Sequence, residues 1–142
     1  MKMIQTVSAV FAFLLVSLMA TEVKAEVALD GYCPVCYLAA NKAVEGSSKF
    51  SAAYQGKTYH FVSTETRDLF RSEPDKYLPQ YDGYCAFGMA YGKKIQSDPT
   101  VFTVRGGKVY LNKDKATGKK FEKDLQGLIK KADVQWMGLT HK

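Results

Sequence analysis

The sequence predicts a small single-domain α+β protein, with two β-hairpins, short helices and a C-terminal amphipathic helix packed on the sheet. Three observations carry this. Two pairs of short runs rich in aromatic and β-branched residues each flank a glycine-containing turn. Apolar residues near the C-terminus recur at spacings of three and four. The chain has 142 residues, which fits one domain and leaves little room for a second. A composition of 46% hydrophobic and 24% charged residues with three cysteines excludes disordered, collagen-like and disulfide-scaffold classes. The slightly negative mean hydropathy excludes a polytopic membrane protein.

Taken in order, the chain opens with Met1 and Lys2, an apolar run from Val7 to Ala20, and Val23-Lys24-Ala25 as a small-residue cleavage site. That is the layout of a secretory signal peptide over residues 1–25, with an apolar run too short for a membrane span. Cleavage removes Lys2, Lys24 and Glu22 and leaves 18 basic and 13 acidic residues, net +5. The mature protein is expected to be exported and to have no integral membrane segment. Export makes nucleic acid an improbable partner for the positive charge. The lysines of the C-terminal third alternate with Asp114, Glu122, Asp124 and Asp133, which reads as a solvated helix face.

No internal repeat, low-complexity tract or linker is expected in the mature chain. Phe50 to Tyr54 and Thr58 to Ser63, with Gln55-Gly56-Lys57 between them, read as a β-hairpin. Ser63 or Thr64 can cap a short helix with Glu65 in its first turn, stopped near Glu73 by Pro74. A second short helix is expected from Asp82 to Tyr91, ended by Gly92. Val101 to Val104 and Lys108 to Leu111 flank Arg105-Gly106-Gly107 as a second hairpin, its glycines supplying positive φ. Phe121, Leu125, Leu128, Ile129, Ala132 and Trp136 form one apolar stripe of a C-terminal helix that needs a sheet to lie on.

The chemistry centres on sulfur. Cys33-Pro34-Val35-Cys36 places two thiols close enough to form a disulfide or grip one soft metal ion. A local disulfide, or one bond using Cys85 with a thiol left over, is the plain alternative in an oxidising compartment. The motif lacks the βαβ setting of a thioredoxin, position 37 is Tyr37 where haem attachment needs histidine, and no second C-x-x-C exists for a zinc knuckle. Cys85 and Met89 lie four apart on the expected second helix, so they share a face. Thiolate and thioether suit Cu(I), and both residues also pack readily in cores. His60 is expected within a strand on the face of Thr58 and Val62, opposite Tyr59 and Phe61; His141 falls in the tail. Most of the nine tyrosines are explained by hairpin and core packing, with hydroxyls that need partners. No Ser-His-Asp order, paired carboxylates or glycine-rich phosphate loop stands out, so a non-enzymatic protein is expected.

The segment Tyr54-Gln55-Gly56-Lys57-Thr58-Tyr59-His60-Phe61-Val62-Ser63, followed by Leu69-Phe70 and Pro74-Asp75-Lys76-Tyr77, resembles the YHS domain. Gly83-Tyr84-Cys85-Ala86, the Tyr110-Leu111-Asn112 hairpin and the ending near Ala132–Trp136 look like exported, stand-alone YHS-domain proteins of Gram-negative bacteria. The likeness spans residues 30–137 and makes residues 26–142 one YHS-like domain. YHS modules occur in heavy-metal proteins, copper-transporting ATPases among them, so the resemblance implies metal binding in the periplasm. Metal-associated members often open with Asp-Pro-Val-Cys; Cys36 matches that cysteine and Cys33 replaces the aspartate. They also often carry Phe-Cys-Ser-x-x-Cys, where this chain has Phe61-Val62-Ser63-Thr64-Glu65-Thr66, so both of those cysteines are missing. The losses argue against zinc and leave a sparse sulfur set.

Three functions follow as expectations. The first is a periplasmic soft-metal module, for copper, using Cys33, Cys36 and Cys85, with Met89 or His60 as added ligands. Its partners would be the metal ion and another periplasmic metal-handling protein. The second is a thiol–disulfide redox protein in which Cys33 and Cys36 cycle. The third is a non-catalytic interaction module stapled by a structural disulfide.

Overall fold

The computed structural model of the chain describes residue 21 and residues 24–141. The expected signal peptide therefore lies almost wholly outside the described residues. The α+β class holds: helices and two small sheets share one domain, and a helix closes the C-terminus. Among the described residues no helix is long and apolar enough to cross a membrane.

The first half holds β1 (Glu26–Val27), α1 (Pro34–Ala39), β2 (Ser47–Tyr54), β3 (Lys57–Phe61), α2 (Thr64–Ser72) and α3 (Pro74–Tyr77). β2 and β3 pair antiparallel around a two-residue turn, and β1 pairs parallel to the other edge of β3. The turn forms because Gln55 and Gly56 take φ of 47° and 77°, the left-handed pair a tight hairpin requires. Ser63 caps α2 reciprocally: its Oγ accepts from Thr66 N at 3.1 Å, and its own N donates to Thr66 Oγ1 at 3.2 Å. Pro74 does more than stop this helix, since it opens α3 at the first helical position, where its missing N–H leaves no bond unmade. Alternation along β3 buries Tyr59 and Phe61 around Phe70 of α2.

The second half holds α4 (Ala86–Ala90), β4 (Asp98–Arg105), β5 (Lys108–Asn112), α5 (Lys115–Lys123) and α6 (Leu125–Thr140). The Gly106-Gly107 turn joins β4 to β5 as expected. Two expectations are corrected. The helix read from Asp82 to Tyr91 covers only Ala86–Ala90, because Tyr81, Asp82 and Gly83 take left-handed φ of 60°, 55° and 78°. The C-terminal stripe is broken in two at Asp124, which leaves helical geometry and whose side chain accepts from Gly127 N at 3.3 Å to start α6. Phe121 of α5 does meet the hairpin, stacking on Tyr110 at 5.8 Å. Leu128 and Ala132 are buried in the core that α4 shares, and α6 packs chiefly on α4.

The two halves repeat one another, which corrects the expectation of no internal repeat. Each opens on a tight turn, Leu29-Asp30-Gly31 or Tyr81-Asp82-Gly83, with all three residues left-handed. A short helix follows, with a cysteine at its N-cap (Cys33 or Cys85), and then strands of eight and five residues around a two-residue turn. Each hairpin has its pairing shift at the matching place, between Ser47 and Ser51 or between Asp98 and Phe102. A nine-residue helix then ends on Glu73 (φ −145°, ψ 65°) or Asp124 (φ −136°, ψ 56°) before a further helix starts. Tyr37 ties the halves together. It is fully buried against Val109 and Leu111, and its hydroxyl donates to Pro99 O at 2.7 Å.

Candidate functional site

The dithiol is built by the start of α1. Cys33 is extended (φ −73°, ψ 114°), its N–H donates to Val44 O at 2.8 Å, and Pro34 sets the first helical turn. Cys36 N returns to Cys33 O at 3.3 Å, so the two side chains leave the same turn. Both thiols are free and buried, at 0% and 6% exposure, within the core of Val35, Ala52, Phe61 and Phe70. The two thiols lie close together. Burial first, then the neighbouring Cys33 thiol, push the Cys36 thiol up to about 12. At neutral pH Cys36 is therefore a neutral thiol, poor as a nucleophile. Chemically, the pair can lose two protons to a soft metal ion or two hydrogens to an oxidant.

Cys85 is engaged elsewhere. It caps α4 in the second half, fully buried, with Sγ accepting from Gly88 N and donating to Asn112 Oδ1, both at 3.5 Å. Asn112 Oδ1 also accepts from Phe87 N at 3.0 Å, while its Nδ2 is buried without a partner. Cys85 thus stands one residue before α4 and not on a helix face shared with Met89. Met89 N bonds Cys85 O, and its side chain is fully buried in the second core. His60 lies on β3 opposite the core-facing Tyr59 and Phe61; its Nδ1 sits 3.4 Å from where a Cβ on Gly31 would stand.

Among the described residues no group of three or more His, Cys, Asp and Glu side chains is arranged to hold a metal ion. The expected convergence of Cys33, Cys36 and Cys85 is therefore not assembled, and the close pair is what the structure brings together. A groove of about 740 Å³ on the described residues is lined by no cysteine. Its walls come from the lead-in segments of both halves, including Asp30 and Asp82, the latter 3.5 Å from Lys57 Nζ. Sequence reasoning missed Asn112 as the partner of Cys85. It also missed the repeat, although Asp-Gly-Tyr-Cys is spelled twice, at Asp30–Cys33 and Asp82–Cys85.

Residues 34–81 match the family model of the YHS domain, so the chain contains a YHS domain over that span. The match takes in Cys36 and His60 and ends where the second half begins. No curated protein and no solved structure compared with the chain matches it.

Proposed function

We propose that this protein is an exported, non-catalytic module that binds one soft metal ion, copper as Cu(I), through Cys33 and Cys36. The observation that carries the reading is the close, buried pair of free thiols at the edge of a YHS domain, a module associated with metal binding. Two thiolates satisfy Cu(I), whereas zinc favours four ligands, and among the described residues no His, Cys, Asp or Glu side chain joins the pair in a metal-holding group. The periplasm as its location rests on the residue 1–25 pattern, with Glu26 as the mature N-terminus, where β1 begins. Intact mass of the exported protein checks this; a species retaining residues 1–25 overturns it.

Native mass spectrometry of the reduced protein with Cu(I) tests the metal. One copper per chain is expected, lost in Cys33→Ser and Cys36→Ser and kept in Cys85→Ser. A reduced wild type that takes up no Cu(I) overturns the reading. Because the Cys36 proton must leave on binding, affinity should rise about tenfold per pH unit from that thiol alone at pH 6–8. The closeness of the thiols favours one competing state, the Cys33–Cys36 disulfide. The same spectra read it as the loss of two hydrogens, and it excludes the metal.

A further inference from the structure

We infer that the second half of the chain, from Gln80 onward, is a degenerate copy of the YHS module in the first half, and that its dithiol site has been closed by an exchange of side-chain volume between two positions. The hydrogen bonds place the copies in register. Cys33 N donates to Val44 O at 2.8 Å, and Cys85 N donates to Ile95 O at 2.8 Å. Gly31 O accepts from Gly46 N, and the matching Gly83 O accepts from Ser97 Oγ. β1 runs parallel along β3 at Thr58, and Gln80 N reaches the matching Val109 O. In that register Gly56-Lys57-Thr58-Tyr59 falls on Gly107-Lys108-Val109-Tyr110, Thr66 on Thr117 and Phe70 on Phe121.

The register pairs Cys33 with Cys85, Cys36 with Gly88 and Val44 with Ile95. A Cβ on Gly88 would stand 2.9 Å from Ile95 Cδ1, the atom that valine lacks. The larger aliphatic therefore fills the place that the second thiol holds in the first copy. Deprived of that thiol, Cys85 bonds Asn112, which stands where the first copy has Phe61. Cys85 is thus the remnant of a pair, kept as a hydrogen-bonding group that fixes the start of α4. The chain carries one dithiol, not two.

The double variant Gly88→Cys/Ile95→Val restores the first copy's side chains to the second, and its test does not depend on metal binding. Diamide takes two hydrogens from each adjacent thiol pair and becomes the hydrazine as the disulfide forms. Non-reducing peptide mapping should find Cys33–Cys36 alone in the wild type, and a second bridge between positions 85 and 88 in the variant. A variant with native circular dichroism that forms Cys33–Cys36 but leaves Cys85 free overturns the inference. Amide exchange in the wild type keeps the inference testable if the variant does not fold. Cys33 and Cys85 amides should both be slow, and unprotected exchange at either one shows that the shared frame is absent.

Discussion

Gly46 sits where the loop after α1 crosses β3, and a Cβ there would come within 2.6 Å of His60 C and 2.8 Å of His60 O. Backbone cannot swing aside as a side chain can. Gly46→Ala should therefore cost about 1–3 kcal/mol, the range of a forced overpacking, read as a lower urea midpoint; an unchanged midpoint shows the crossing is looser. Ser63→Ala removes the acceptor for Thr66 N and should cost about 1 kcal/mol. The sequence made the second residue legible, because Ser63 before Thr64-Glu65 is a local capping signal. Gly46 was silent, since its neighbour is a strand distant in sequence. The same contrast divides the cysteines. Cys33 and Cys36 are neighbours by spacing along one turn, whereas any partner for Cys85 is a tertiary fact, and it proved to be Asn112.

At the scale of elements, the hairpins were legible because each turn carries residues that tolerate left-handed φ between runs of strand formers. The C-terminal region was misread as one helix because its apolar spacing runs straight through the break. Asp124 interrupts it by capping α6 without changing the hydrophobic pattern. The break turns the stripe, so Phe121 faces the hairpin while Leu128 faces α4. Leu128, 5% exposed, should then cost about 2–5 kcal/mol on truncation to alanine. Leu125, only partly buried at the rim of the same core, should cost less. Equal losses in the two variants would mean that the stripe continues through Asp124 as a single helix. The repeat escaped sequence reading for a related reason: its identities sit at turns, caps and ring positions, while the surface between them has diverged.

For the whole molecule, buried proton-bearing groups set the response to alkali. Burial pushes Cys36 from 9.0 up to about 12 and Tyr59 from 10.0 up to about 12. Tyr37 and Tyr110 are raised by burial as well, and Tyr81 by burial and then by its bond to Asp133. In each case the unfolded chain gives up its proton at a lower pH than the folded one. Above about pH 9 the unfolded state thus binds fewer protons, and stability must fall as pH rises, with Cys36 and Tyr59 ceasing to contribute to the slope once they ionise in the folded chain near pH 12. Carboxylates act in the opposite direction and in another window. Bonds from Thr100 and Thr117 hold Asp98 and Asp114 below the ordinary 3.8, so their contribution is lost only in strong acid. A broad plateau at neutral pH with a decline from about pH 9 is therefore expected in a series of thermal unfolding curves. Tyr59→Phe isolates one contributor, because it removes the phenol proton and keeps the ring against Phe70 at 5.0 Å. The variant should match the wild type at pH 7 and lose stability less steeply between pH 10 and 12. Identical slopes in that window would show that the Tyr59 phenol ionises as freely in the folded chain as in the unfolded one, and that the alkaline decline belongs to the other buried groups.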